Sequence, residues 1–367
     1  MKLVCTQENL TLGLSIVARL SDKNINLPIL SNVLLRAQKD GLTLIATNLE
    51  IGIKTKVRGK IEVEGEFTAN ARLFADFVST LKKENVSIEL DDKNLNIKGE
   101  NHQTTIRGMD PAEFPVIPEV GPSFLFSVAA THFREALSQT LFAVSADESR
   151  PELNGVFIQV GDGSCVMAAT DSYRLSEKTI PVPQAKEKKS VIVPARTLQE
   201  TLRVLELSDA ADVQIAINDN QIQFSFGETQ IVSRIITGEY PDYKQIIPTA
   251  FKNEVRFATE EMRQAIKTTS LFCKQGINDV RLSLEKRFSD IAVNAENSNL
   301  GKNVSNVRTE SKNQEMDIVF NYKFLLDGLS HIVGEAACLK TNDPTSPALL
   351  VSASGDDLLY VIMPIKQ

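Results

Sequence analysis

The side chains able to do chemistry are few and scattered. Three histidines, His102, His132 and His331, have no partner at metal-ligand spacing, and no His-Glu-x-x-His run occurs. Four cysteines, Cys5, Cys165, Cys273 and Cys338, lie far apart with no Cys-x-x-Cys pair, the pattern of packed free thiols in a reducing compartment. No Gly-x-Ser-x-Gly elbow, Walker loop or dinucleotide fingerprint is present. Asp171 and Arg174 are near enough in sequence to form an ion pair. Such a pair could serve a hydrolase, but at a strand end a structural role reads more simply. Gly161-Asp162-Gly163 reads as a hairpin turn, not a phosphate cradle, and the run 186–189 as a solvated loop. With no nucleophile, base and orienting group in sight, an enzyme is a poor reading, and no metal or cofactor is expected.

What remains is binding. The chain ends Tyr360-Val361-Ile362-Met363-Pro364-Ile365-Lys366-Gln367. Such an apolar terminus is either a plain last strand or one wall of a groove for partner peptides.

The elements that would position these residues come in copies. Ser31-Asn32-Val33-Leu34-Leu35 parallels Asn154-Gly155-Val156-Phe157-Ile158, and Ala46-Thr47-Asn48-Leu49 parallels Ala169-Thr170-Asp171-Ser172, both about 123 residues apart. Glu113-Phe114-Pro115 parallels Glu239-Tyr240-Pro241 at about 126. A fainter third copy starts near Asp279-Val280-Arg281-Leu282. The chain therefore reads as three α+β units, 1–120, 121–249 and 250–367, each with two helices on antiparallel sheet. Opening strands are expected at 2–6, 124–128 and 254–258. Helices are expected at 7–20, 70–83, 131–144, 195–207, 259–275 and 321–332. Thr131 and Thr259 are plausible N-caps, and Leu73, Phe74, Phe77, Val78 and Leu81 form the apolar stripe of the second helix.

Net charge is −7, which taken alone speaks against nucleic acid. Its distribution is uneven. The six helical windows hold eleven Lys/Arg and eight Asp/Glu, roughly +3, and the remainder roughly −10. Either these are ordinary solvated helix faces, or the helices share a surface that meets a polyanion without reading sequence. No apolar run reaches the ~18 residues of a membrane span. The start Met1-Lys2-Leu3-Val4 lacks a signal-peptide pattern, so a soluble cytoplasmic protein is expected.

Several motifs, in order along the whole chain, resemble one family. They are Leu27-Pro28-Ile29-Leu30, Thr47-Asn48-Leu49-Glu50, Glu113-Phe114-Pro115, Leu153-Asn154-Gly155, Ala169-Thr170-Asp171 with Arg174-Leu175, Val191-Ile192-Val193-Pro194, Tyr240-Pro241-Asp242-Tyr243 and Met363-Pro364. The set is similar to the bacterial sliding clamps, the beta subunits of DNA polymerase III. The resemblance implies a DNA clamp fold of three similar domains in a head-to-tail ring dimer. Such a ring would encircle duplex DNA, slide along it and tether the polymerase, with no chemistry of its own. Partners implied are a second copy, duplex DNA, the polymerase III catalytic subunit, an ATP-driven clamp loader, and other polymerases and repair proteins.

The resemblance further implies a partner-peptide pocket between the second and third domains. By position it comprises Leu153, Thr170, Ser172, Tyr173, Arg174, Leu175, Pro241, Gln245, Ile246, Ile277, Asn321, Phe324, Pro347, Val361, Ile362, Met363, Pro364 and Ile365. Ser172, Tyr173 and Gln245 stand where Gly, His and Arg are familiar, and Lys366-Gln367 ends the chain instead of Arg-Leu. DNA-facing candidates are Lys23, Arg72, Arg134, Arg150, Arg196 and Lys267. The dimer contact would set Thr104 and Ile106 against Leu271 and Phe272. The segment 295–302 is less acidic than is familiar there, which leaves dimer strength open. Two other readings stand beside the clamp: a peptide-binding scaffold that never encloses DNA, and a hydrolase using Asp171 and Arg174.

Overall fold

The computed structural model describes residues 1–21, 27–118, 120–121, 124–185, 187–274, 276–284, 290–310, 315–355 and 357–366. Among the described residues there are six α-helices and twenty-five strands, all strand pairs antiparallel. The helices are α1 (Gln7–Val17), α2 (Ala71–Thr80), α3 (Ala130–Leu141), α4 (Ala195–Glu206), α5 (Thr259–Ser270) and α6 (Tyr322–His331). Each lies within or close to an expected window. The opening strands are Lys2–Thr6, Phe124–Ala129 and Asn253–Ala258.

The chain packs as two compact units. The first joins Met1–Arg134 to Arg196–Ile235, and the second joins Glu135–Ala195 to Ile236–Gln367. The first unit holds a five-stranded sheet with Gly59–Val63 and Gln103–Arg107 at its edges. It also holds an eight-stranded sheet in which Thr229–Arg234 pairs with Ile51–Val57. That pairing fuses a sheet of the first repeat to one of the second. The second unit repeats the plan, with Leu358–Ile362 pairing Arg174–Pro181 in an eight-stranded sheet. Its four-stranded sheet ends on one side at Gly301–Arg308. Strands alternate as a half-buried surface demands: Ile222, Phe224 and Phe226 point inward, while Gln221, Gln223 and Ser225 are half-exposed.

Local chemistry corrects several expectations. Thr259 does not cap α5. Ala258 occupies that position, and the Thr259 hydroxyl donates to the Gly334 carbonyl at 3.4 Å. Thr131 lies inside α3, not ahead of it. The caps are Thr6, Asn70 and Asn321, whose side-chain oxygens accept from the backbone N–H of Asn9, Leu73 and Lys323. In α2 the buried stripe is Ala71, Phe74 and Val78, with Leu73 turned outward, 55% exposed. Capping by Asn70 sets the start of α2, and with it the face that turns inward.

Two helix glycines sit where no side chain fits. A Cβ on Gly13 would lie 2.3 Å from Val57, and one on Gly328 would lie 2.3 Å from the Tyr360 ring. At the C-terminus of α1, Arg203 of α4 donates to the carbonyls of Ser15 at 3.0 Å and Ile16 at 2.8 Å, and it pairs with Glu200 at 2.8 Å. A cation on orphan carbonyls suits both hydrogen bonding and the helix dipole.

Candidate functional site

In the second unit the hairpin formed by Gly155–Gly161 and Ser164–Thr170 closes through Asp162 and Gly163, both at positive φ. That is the backbone a two-residue hairpin turn requires. The next connection is tighter in its bonding. Thr170 Oγ1 donates to the Arg174 carbonyl at 2.6 Å and accepts from Ser172 N–H at 3.1 Å. Asp171 Oδ1 accepts from the N–H groups of Tyr173 and Arg174, both at 3.0 Å. Ser172 is thereby held at φ +76°, a conformation that costs a non-glycine residue about 1 kcal/mol.

This turn presents Thr170, Ser172, Arg174 and Leu175 to a cleft of about 150 Å³, completed by Arg150, Leu153, Pro241, Asp242, Tyr243, Ile246, Val361 and Met363. A volume of that order matches a benzene-sized group. Leu153, Leu175 and Val361 form a buried floor. Strand alternation explains one correction. Val361 faces the cleft, so Ile362 must face the other way, and it lies fully buried in the α5–α6 core.

The other expected pocket residues lie outside that lining. Tyr173 stands 65% exposed, with its carbonyl accepting from Met363 N–H at 2.9 Å. Gln245 is turned to Asp242, at 2.8 Å. Ile277 is exposed, Asn321 caps α6, and Pro347 is half-buried just ahead of the strand Ala348–Ser352. Pro364 is buried, and Ile365 N–H donates to the Val319 carbonyl at 2.7 Å.

Arg174 is held from several sides. Nε donates to Asp171 at 3.0 Å, Nη2 to the Phe142 carbonyl at 2.8 Å, and Nη1 to Asp327 of α6. The guanidinium carbon lies 4.6 Å from the centre of the Phe324 ring. Burial works against this charge, but Tyr360, Asp327 and Asp171 outweigh it and hold the pKa above its usual value. Arg174 is thus pinned by structure, as the simpler reading of the Asp171–Arg174 pair expects. Behind the cleft, Tyr240 stacks on Phe157 at 5.1 Å, and Tyr243 donates to Glu177. Burial drives the phenol pKa of both tyrosines upward.

Arg150, expected to face DNA, instead lines this cleft. It pairs with Glu152 at 3.1 Å and donates to the Ser172 hydroxyl at 3.2 Å. Arg72, Arg196 and Lys267 are exposed on their helices. Arg134 is half-buried, and its Nε is shielded from solvent with no hydrogen-bond partner among the described residues. Lys23 lies outside the described residues. On the edge strand Gln103–Arg107, Thr104 is half-buried. Ile106 is only 3% exposed, so its side chain already serves its own core and offers a partner only backbone. Leu271 is 71% exposed and Phe272 packs against the α5–α6 core. Sequence reasoning missed Asp242 and Tyr243 in the lining, although both flank the quoted Pro241. It also missed Asp327, whose partner lies 153 residues away.

Among the described residues no cluster of three or more His, Cys, Asp or Glu could hold a metal, and no helix is long and apolar enough to cross a membrane. Repeated helix pairs on fused antiparallel sheets, with a small apolar cleft, define a three-domain α+β clamp. The comparisons agree. Residues 1–118, 127–242 and 244–366 match the N-terminal, central and C-terminal domains of the DNA polymerase III beta subunit. The beta sliding clamp of Synechococcus elongatus is 32% identical over 375 residues, covering 100% of this chain and 99% of that one. That of Caulobacter vibrioides is 28% identical with full coverage of both. A sliding clamp of Pseudomonas aeruginosa, solved bound to griselimycin, superposes with a TM-score of 0.96 at 28% identity and full mutual coverage. One from Bacillus subtilis superposes with 0.94 at 26% identity, covering 100% of this chain and 99% of that one. The chain belongs to the DNA polymerase III beta subunit family. Its role is that of a non-catalytic processivity clamp in DNA replication, acting with DNA and polymerase.

Proposed function

We propose that two copies close head to tail into a ring around duplex DNA, and that the cleft at Leu153, Leu175 and Met363 receives a short apolar segment of each client. The observation that carries the reading is the cleft itself: a preformed apolar floor beside a fixed guanidinium, in a chain with no catalytic constellation among the described residues. Clients would be the polymerase III catalytic subunit, the clamp loader, other polymerases and repair proteins, in a cytoplasmic setting. Three domains with junctions near residues 120 and 249 fit the repeat. The ring contact would join the free edges Gln103–Arg107 and Gly301–Arg308, with Thr104 and the backbone of Ile106 near Leu271 and Phe272. An unpaired edge is a template for another strand. Arg72, Arg196, Lys267, Arg134 and Lys23 would meet phosphates weakly and without register, which permits sliding. Arg150 is better read as a cleft residue.

The test is retention on nicked circular DNA after incubation with a bacterial clamp loader and ATP. A ring stays on the circle and is lost when the circle is linearised. Retention on both forms would reduce the reading to ordinary electrostatic binding. No retention on either, with a working loader control, would favour a peptide-binding scaffold.

A further inference from the structure

Three acceptors hold the Arg174 guanidinium beside the Tyr360 hydroxyl, and they differ in kind. Asp171 is local, three residues away, and its Oδ1 is already fixed by two backbone N–H groups. The Phe142 carbonyl comes from the chain just after α3. Asp327 alone is a side chain from a distant helix, α6, and on the same helix Phe324 lies under the guanidinium. Among the described residues the Asp327 side chain pairs with Arg174 alone, and at 45% exposure it is not needed as core.

A guanidinium carries five N–H donors in a rigid fork; these bonds use three, the Tyr360 hydroxyl takes at most one more, and a donor is left. An apolar segment entering the cleft would bring backbone carbonyls that lose their water there. The Thr170 hydroxyl proton is committed to the Arg174 carbonyl, whereas the Ser172 hydroxyl accepts from Arg150 and keeps its own proton. Arg150 is the other cation of the lining, but its side chain is 47% exposed against 11% for Arg174, so a bond from Arg174 to such a carbonyl competes less with water. Its value depends on where the fork points, because a hydrogen bond weakens steeply off axis.

We propose that Asp327 is a positioning residue for the cleft: by drawing the guanidinium onto Phe324, it aims a remaining Arg174 donor at a main-chain carbonyl of the bound segment. This rests on the cleft being the client seat. The probe is a fluorescein-labelled synthetic hexapeptide ending in Leu and Phe anchors, titrated by anisotropy against the full-length protein. Asp327→Ala should weaken it about tenfold, about 1.4 kcal/mol. Asp327→Asn keeps an acceptor oxygen and should recover most of that loss.

In an Arg174→Ala background, Asp327→Ala should add nothing. A purely structural role would produce the same loss in both backgrounds. Affinity within twofold of wild type in Asp327→Ala, or equal losses in both backgrounds, overturns the inference. Met363→Asp separates the two levels. If it does not weaken the peptide, the cleft reading falls and this inference with it. If it does, and Asp327 has no effect, only the inference falls.

Discussion

Gly328 offers a contest between two effects of opposite sign. It lies within α6, where replacing glycine by alanine ordinarily stabilises a helix by about 1 kcal/mol. The added Cβ would fall 2.3 and 2.4 Å from two Tyr360 ring carbons and 3.2 Å from Leu350. Carbon atoms pack at about 3.5–4.0 Å, so ring and helix must separate by roughly 1.2 Å or more. The ring has little freedom to yield. Tyr360 is fully buried, its hydroxyl donates to the Phe324 carbonyl at 2.9 Å, and its ring meets Phe142 at 5.3 Å. Overpacking of this kind costs about 3 kcal/mol, the upper end of the usual range. Set against the helix gain, Gly328→Ala should destabilise the second unit by about 2 kcal/mol. For a unit of this size that lowers its melting temperature by roughly 4–8 °C. Calorimetry of the variant and of Gly328→Ala with Tyr360→Leu separates the terms, since the smaller side chain should remove most of the penalty the alanine adds. An unchanged or raised melting temperature in the single variant would refute the packing argument.

Other expectations follow from single contacts. Arg203→Ala removes two charge-assisted bonds from the end of α1, so urea unfolding should report a loss of about 2 kcal/mol. Leu271→Asp places a charge on a side chain exposed in the single chain. Sedimentation should then show more monomer with an unchanged melting temperature if this surface seals the ring. All four thiols are buried, and burial raises the pKa of Cys5 and Cys165 to about 12 and of Cys273 to about 11. Thiolate increases as pH rises toward those values and is scarce at pH 8. A disulfide-exchange reagent at pH 8 should therefore label the native protein negligibly, and all four cysteines only after unfolding.

The local order of the fold was legible because repetition and periodicity are local signals. Thr47-Asn48 and Thr170-Asp171 announce the same turn, and the helix windows follow the 3.6-residue spacing. What escaped was long-range. No sequence pattern pairs Thr229–Arg234 with Ile51–Val57, or sends Arg203 to α1 and Asp327 to Arg174. These depend on which faces meet, and the choice of cap sets those faces. Reading Thr259 as a cap was a small error of this kind: a hydroxyl at a helix start has more than one carbonyl or N–H within reach, and here it takes Gly334. The cleft was legible only in part, because a strand's period of two divides Val361 from Ile362, whereas a positional carry-over keeps both.

The first repeat shows how the same turn can be filled differently. Its turn repeats the second atom for atom. Thr47 Oγ1 donates to the Ile51 carbonyl at 2.9 Å and accepts from Leu49 N–H at 3.0 Å. Asn48 Oδ1 accepts from Glu50 and Ile51, and Leu49 stands at φ +76°, as Ser172 does. The two copies share a backbone and differ in filling. At the position matching Leu175 the first repeat has Gly52, and Ile117 rests on it so closely that a Cβ there would lie 2.7 Å away. Ile117 then packs with Ile29, Ile45, Phe114 and Val232, and the chain's own connector closes the floor. In the second copy Leu175 fills that position, and Ile247 of the connector packs against its cluster. The connector after Pro241 instead places Tyr243 against Leu175 and Val361 and leaves Ile246 as a wall. Both copies thus bury part of their own connector, the first with Ile117 seated on Gly52 and the second with Tyr243 on Leu175, and only the packing on the turn differs.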